Sequence, residues 1–150
     1  MRQGLLGLQT AGAKFSHGLF STWLAEAYGK AGQSAGGLRV LNESETQAQK
    51  TGERVFETER HRLKGTLLLQ QPNPDALQAE ACFQQSLDIA RRQQAKSLEL
   101  RTATSLARLW QSQDKRQDAR DLLAPVYNWF TEGFDTEALQ EAKGLLEELA

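Results

Sequence analysis

The chain has 150 residues, with 18 Lys plus Arg against 19 Asp plus Glu and a formal net charge of -1. That size fits a single domain, and the balanced charge excludes a general attraction to nucleic acid or to an anionic membrane. One cysteine, Cys82, excludes an internal disulfide and a Cys-x-x-Cys metal site.

The opening segment MRQGLLGLQTAGAKF has its apolar run broken by Gly and Gln, so it fails as a secretory signal. Nothing in the chain approaches the roughly 18 consecutive apolar residues of a membrane span. The protein is therefore expected to be soluble and cytoplasmic, with no membrane and no nucleic acid among its partners. Only three prolines occur, and Ala, Leu, Gln, Glu, Lys and Arg dominate, which is helix-forming stock. Break signals stand at Ala31-Gly32-Gln33-Ser34, Lys50-Thr51-Gly52, Gln71-Pro72-Asn73-Pro74-Asp75, near Gln94, at Gln113-Asp114-Lys115 and at Thr131-Glu132-Gly133-Phe134-Asp135.

In chain order, these signals predict helices over 3–12, 15–31, 35–50, 53–70, 75–93, 96–113, 115–131 and 135–149, an all-α domain of seven to eight helices. The second carries an apolar stripe of Phe20, Trp23, Leu24, Ala27 and Tyr28, and the sixth one of Leu100, Ala103, Leu106, Ala107 and Trp110. In the seventh, Pro125 lacks an amide hydrogen and is expected to kink or offset the helix. The last has Asp135 or Thr136 as its cap and a stripe of Leu139, Ala142, Leu145, Leu146 and Leu149. Gly133-Phe134 beside Trp129-Phe130 makes that end the expected apolar contact surface.

A pattern of small and large residues recurs along these helices. Leu24-Ala25-x-x-Tyr28 is followed by Gly37-x-x-x-Leu41-x-x-Ser44, and Leu106-Ala107-x-x-Trp110 by Ala119-x-x-x-Leu123-x-x-Val126. The middle copy reads Lys64-Gly65-x-x-Leu68, then Ala79-x-x-x-Phe83-x-x-Ser86. A small residue on the first helix lets the second approach closely, and a large one fills the space beside it. Helix pairs of this kind cannot bury their apolar faces alone and are expected to stack.

These positions resemble those of the tetratricopeptide repeat. Ala25 to Gly65 is 40 residues and Gly65 to Ala107 is 42, against a repeat of about 34 in that family, so the pairs are longer and divergent. The strings LAEAYGKAGQ (24–33), HRLKG (61–65), AEACFQQSLDIARRQQAKSLELRTATSLARLWQ (79–111) and ARDLLAPVYNWFTEGFDTEALQEAKGLLEEL (119–149) further resemble the C-terminal helical tail of large bacterial signalling proteins. In those, a nucleotide cyclase, kinase or DNA-binding output domain and an ATPase precede the tail. No part of this chain matches those catalytic domains, so their activities do not transfer.

The resemblance implies a right-handed α-solenoid of TPR-like helix pairs (about 15–50, 53–93 and 96–131, with terminal helices at 3–12 and 135–149). It also implies that Met1 begins inside the repeat array. The expected role is a sensor or partner-docking scaffold in bacterial signalling, without enzymatic activity or cofactor. Carried over residue by residue, the concave face presents Thr22, Glu26 and Lys30, then Glu59, Arg62, Thr66 and Gln70, then Arg101, Thr104, Arg108 and Gln111. These polar positions suit a groove for a peptide or acidic terminus, Arg forks matching carboxylates in particular; an unused hydrophilic surface would look the same. The alternative function is self-assembly, a homodimer formed through exposed terminal helices.

Other motifs read as structure. The glycine-rich run Gly32–Gly37 lacks the Lys-Ser/Thr ending of a phosphate-binding loop and follows no strand, which makes it an inter-helix turn. His17 and His61 have no His or Cys partner at ligand spacing, and His61 lies in a charged helix face. Cys82 precedes Phe83 on an apolar stripe and reads as a packed residue. Charge is uneven along the chain: Asp88 to Arg120 holds eight basic and four acidic residues, while Glu132 to Ala150 holds six acidic and one Lys. That asymmetry either steers a partner or a second copy, or reflects ordinary exposed faces.

Overall fold

The computed structural model describes residues 2–150, with side chains from residue 16 onward. Seven helices and no strand occur among them: α1 (Arg2–Lys30), α2 (Ser34–Thr51), α3 (Glu57–Leu69), α4 (Ala76–Arg92), α5 (Lys96–Ser112), α6 (Arg116–Trp129) and α7 (Glu137–Leu149). The separate helices expected at 3–12 and 15–31 are therefore one. A glycine inside a helix costs about 1 kcal/mol relative to alanine but does not end it, and no proline interrupts this stretch. The side chains of the first part of α1 lie outside the described residues.

Local chemistry sets the other boundaries. Three of the turns share one geometry, in which a residue in the left-handed region lets the next amide reach back five residues: Gln33 N–H to Tyr28 O (2.8 Å) after Gly32, Ala95 to Ala90 (2.9 Å) after Gln94, and Lys115 to Trp110 (2.8 Å) after Asp114. α3 starts at Glu57 rather than near 53 because the Glu53 carboxylate is used in the preceding turn. It accepts the Phe56 amide at 2.9 Å and the Arg60 guanidinium at 2.8 Å, both charged side chains being nearly buried. Asp75 caps α4 by accepting the Gln78 amide at 3.0 Å. Thr136 occupies the N-cap position of α7, but its hydroxyl donates back to Gly133 O (2.7 Å) and closes the preceding turn instead. α6 runs on through the exposed Pro125 without a break.

Each helix packs on its neighbours in the chain, and α3 additionally touches α1 and α5, as α5 touches α7. Among the described residues α2, α4 and α6 do not touch one another. The odd-numbered helices thus form one continuous layer and the even-numbered helices lie separately against it. The larger core joins Phe83 and Leu87 of α4, Leu100 and Leu106 of α5, Leu123 of α6 and Leu139, Leu145 and Leu149 of α7. A smaller one gathers Ala25, Leu41, Leu63 and Leu67. At its C-terminal end α7 is held to α6 by Arg116 and Arg120, which donate to the carbonyls of Glu148 and Leu149. Cations are favourable at that end of a helix.

The small residues of the recurring pattern, Ala25, Gly65 and Ala107 with Gly37, Ala79 and Ala119, are all buried, as are the large residues Leu41, Phe83 and Leu123 that follow the second member of each pair. The approach is closest at Gly65, where a methyl group would sit 2.7–2.9 Å from three atoms of the Phe83 ring. The ring is 1 % exposed and packed in the larger core. Gly65→Ala is therefore expected to destabilise the protein by about 1–3 kcal/mol, the usual cost of overpacking, read from the midpoint of urea unfolding.

The third position after the large residue is Ser44, Ser86 and Val126 in the three copies. Ser86 Oγ donates to Thr58 O (2.9 Å) and bonds Thr102 Oγ1 (2.7 Å), tying α3, α4 and α5 together inside the core. Ser44 Oγ is equally buried and has no partner. Removing a bonded buried hydroxyl strands its partners, whereas removing an unbonded one strands nothing. Ser86→Ala should lower stability by about 1–2 kcal/mol while Ser44→Ala leaves it unchanged or raises it, measured side by side by thermal and urea denaturation.

Candidate functional site

On α1 the buried face is not the expected one. Gly18, Ser21, Thr22 and Ala25 turn inward, while Phe20 (62 % exposed) and Trp23 (63 %) face outward. The cause is again close approach. A methyl group at Gly18 would stand 2.4 Å from the Phe56 ring, and one at Gly29 would stand 2.9 Å from Leu67, so only small residues fit against α2 and α3. Thr22, expected on the concave face, is buried, with its hydroxyl donating to Leu19 O at 2.8 Å.

The layer of α1, α3, α5 and α7 carries two adjoining hollows. The first, of about 510 Å³, is lined by Glu26 and Lys30 of α1, Arg62 of α3, Arg101, Thr104 and Ser105 of α5, and Glu137, Ala138 and Glu141 of α7. The second, of about 730 Å³, takes in Arg62, Thr66 and Leu69 of α3 with Gln70 just after it, Pro74, Ala76 and Phe83, then Ser105, Arg108, Leu109, Ser112 and Gln113, and again Glu141. Arg62, Ser105 and Glu141 border both. Of the eleven sequence-derived candidates, Glu26, Lys30, Arg62, Thr66, Gln70, Arg101, Thr104 and Arg108 line these hollows. Glu59 stands behind them between two arginines, and Gln111 is tied to the Glu148 carboxylate by its amide at 3.2 Å.

The chemistry of the surface differs from a set of open arginine forks. Arg62 grips Glu59 with two bonds of 3.1 and 2.9 Å, and Arg101 shares the same carboxylate at 3.3 Å. Arg108 pairs with Glu141 at 3.2 Å, and Lys30 lies 4.0 Å from Glu26. Every arginine of the site thus holds a carboxylate from the chain itself. Thr104 is buried, its hydroxyl donating to Leu100 O at 2.8 Å, and Thr66 donates likewise to Arg62 O at 3.1 Å. The pairs between Arg108 and Glu141 and between Lys30 and Glu26 are the solvent-exposed ones, and exposed pairs are weak and exchangeable.

Several lining residues escape sequence reasoning. Leu69 and Ala76, both half-buried, add an apolar element to a surface expected to be almost wholly polar, with the buried Phe83 and Leu109 behind them. Glu137 and Glu141, four residues apart and so on one face of α7, bring the last helix into the site. That spacing was the available signal. Comparisons with protein-family models, curated proteins and solved structures give no match.

The remaining candidates resolve as packing. Gly36 and Gly37, inside α2, abut Tyr28 and Leu67, a methyl group at either being 2.9 Å or less from a side-chain atom, so close helix packing accounts for the small residues here. Cys82 is buried and its thiol is pushed up, chiefly by loss of solvation, so it resists forming the reactive thiolate. Trp129 and Phe134 are exposed at the end near α7, in ring contact with Phe130 and Tyr127 respectively. Among the described residues no three His, Cys, Asp or Glu side chains converge as metal ligands, and no helix is long and apolar enough to cross a membrane.

His61 is half-buried, and burial holds its pKa below the ordinary value of 6.5 against the opposing pull of Glu45 and Glu57, with Lys64 and Arg60 adding to the lowering. The unfolded chain then binds a proton more readily than the folded one. The stability that neutral His61 contributes is present above the unfolded value and is lost as pH falls from there through the folded value. The urea midpoint should drop between about pH 7.5 and about pH 5.5, and drop less in His61→Gln; equal drops would remove His61 as the cause.

Proposed function

We propose that this protein is a non-enzymatic interaction module whose partner, a peptide or protein segment, lies along the surface of α1, α3, α5 and α7. We read its architecture as a right-handed α-solenoid of TPR-like helix pairs, divergent in length. The observation that carries the reading is the convergence of eight candidates from three helices on two adjoining hollows that α7 completes. A layer of odd-numbered helices with the even-numbered ones set apart against it supports the solenoid, because repeat pairs contact their successors in this way.

The hollows alternate charged walls with the half-buried Leu69 and Ala76, and Lys30, Arg62, Arg101 and Arg108 are balanced by Glu26, Glu59, Glu137 and Glu141. A segment of mixed charge, exchanging with the exposed pairs, therefore fits better than a purely acidic one. On the resemblance to signalling-protein tails, we read such a module as working in the bacterial cytoplasm beside a catalytic partner domain. The exposed Phe20 and Trp23 favour a second reading, in which two copies associate through the outer face of α1.

Affinity capture from the source-cell lysate distinguishes them, using two variants with unchanged helicity. Ser105→Trp fills the border of both hollows, and Arg101→Glu reverses the charge beside Glu59. A protein retained by the wild type and lost with each variant is the expected result. Retention unaffected by Ser105→Trp sinks the groove, and capture of the chain alone favours self-association.

A further inference from the structure

The opposite side of α5 carries a second built feature. Because α4 and α6 both pack on α5 but not on each other, they leave a trough of about 480 Å³ between them. Glu99 and Trp110 of α5 line it, eleven positions and so about three turns apart on one face. Arg101 and Arg108 point the other way, to the hollows described above.

The two ends of the trough differ in charge. At one, Arg91 (3.2 Å) and Lys96 (3.2 Å) converge on Glu99, which is 5 % exposed, so two cations share one buried carboxylate. Lys96 Nζ also sits 5.5 Å from the centre of the Trp129 ring. At the other end stand Asp118 and Asp121, both exposed. Asp121 accepts only the Gln117 amide, and neither makes an ion pair among the described residues. Nearby, the Trp110 indole is fixed by donating to Glu80 at 2.9 Å, which adds a third carboxylate to that end.

Leu122, Pro125 and Trp129 lie between the ends and give the trough a mainly apolar wall, Trp129 being 57 % exposed. Pro125 has no N–H to give, so the Asp121 carbonyl loses its usual partner four residues on. From Asp118 to Trp129 the trough extends roughly 16 Å along α6, and an extended segment of six residues covers about that distance.

We propose that this trough is a second docking site, taking an extended protein segment with a basic residue at the Asp118 and Asp121 end, apolar side chains on Leu122, Pro125 and Trp129, and an acidic residue at the Arg91 end. Charge complementarity selects this occupant. The surplus negative charge of one end and the surplus positive charge of the other have no further ion-pair partner among the described residues, and a segment of single sign meets repulsion at one of them. The site is independent of the hollows on the other face of α5.

The test uses three fluorescein-labelled peptides with blocked ends, Lys-Ala-Leu-Phe-Ala-Glu and its counterparts with two Lys or two Glu at the ends, titrated by anisotropy. The mixed-charge peptide should bind the wild type about 10-fold more tightly than either counterpart, a difference of about 1.4 kcal/mol. Asp118→Lys/Asp121→Lys should transfer the preference to the two-Glu peptide, and Trp129→Ala should weaken all binding. Asp121→Lys alone, which leaves the first turn of α6 intact, should shift the preference the same way if the double variant loses helicity. Three peptides bound equally, or none bound, overturns the proposal, as does a preference that ignores the Asp substitutions. Loss of binding in Ser105→Trp overturns it too, by placing the peptide in the hollows; unchanged binding there leaves the two sites separate.

Discussion

The contact of the Gly65 backbone with the Phe83 ring sets the spacing on which the rest of the structure depends. With a hydrogen in place of a methyl group, α4 can lay a fully buried aromatic ring directly on α3. Gly37 plays the same part where α2 meets Leu67 of α3 and the Ala25 carbonyl of α1. Burial of apolar side chains supplies the stabilising energy, but the backbone distance decides which side chains can be buried. Once helices stand this close within each pair, the odd-numbered members reach each other and form a layer.

That spacing also explains why the charged surface neutralises itself. Glu59 on α3 lies near enough to α5 for Arg101 to reach it, and Arg108 on α5 reaches Glu141 on α7. Long side chains of opposite sign on adjacent helices of one layer find each other before any ligand arrives. The result is a pre-oriented surface of paired charges, with much of the ordering cost already met in the free protein. Its selectivity then lies in which pairs can be exchanged. The nearly buried pair of Arg62 and Glu59 holds the frame, while the exposed pair of Arg108 and Glu141 can open.

The recurring small and large residues were legible in the sequence because close packing restricts residue type at fixed spacing: all six small positions are buried. The concave candidates followed from the same frame, and eight of them border the hollows. Periodicity misled on α1. Phe20, Trp23 and Ala27 have helical spacing, but so do Gly18, Ser21, Thr22 and Ala25, and a period of 3.6 cannot say which stripe meets a neighbour. Steric fit against Phe56 and Leu67 chose the small residues, information held by distant parts of the chain. The break expected after residue 12 failed for a local reason, since glycine weakens a helix without ending it. Leu69 of α3 and Ala76 of α4 meet in one hollow only when those helices are assembled, so no single segment announces the apolar element.

The two faces of α5 show how one helix can serve both layers. Its buried residues include Leu100, Ala103, Leu106 and Ala107 together with Thr102 and Thr104, so apolar and polar groups share the faces that meet its neighbours. The polar interior is placed accordingly. Thr102, fully buried, bonds Ser86 and so reaches α4, whose Ser86 in turn reaches Thr58 of α3. A hydrogen-bonded chain through three helices is satisfied only at one register, so it specifies how they slide against one another in a way that apolar contact does not. The first pair, with Ser44 unpartnered, lacks such a lock. It rests on the smaller cluster around Ala25 and Leu41, with Ser34 at the start of α2 accepting the Gln71 amide at 2.8 Å across to the segment after α3.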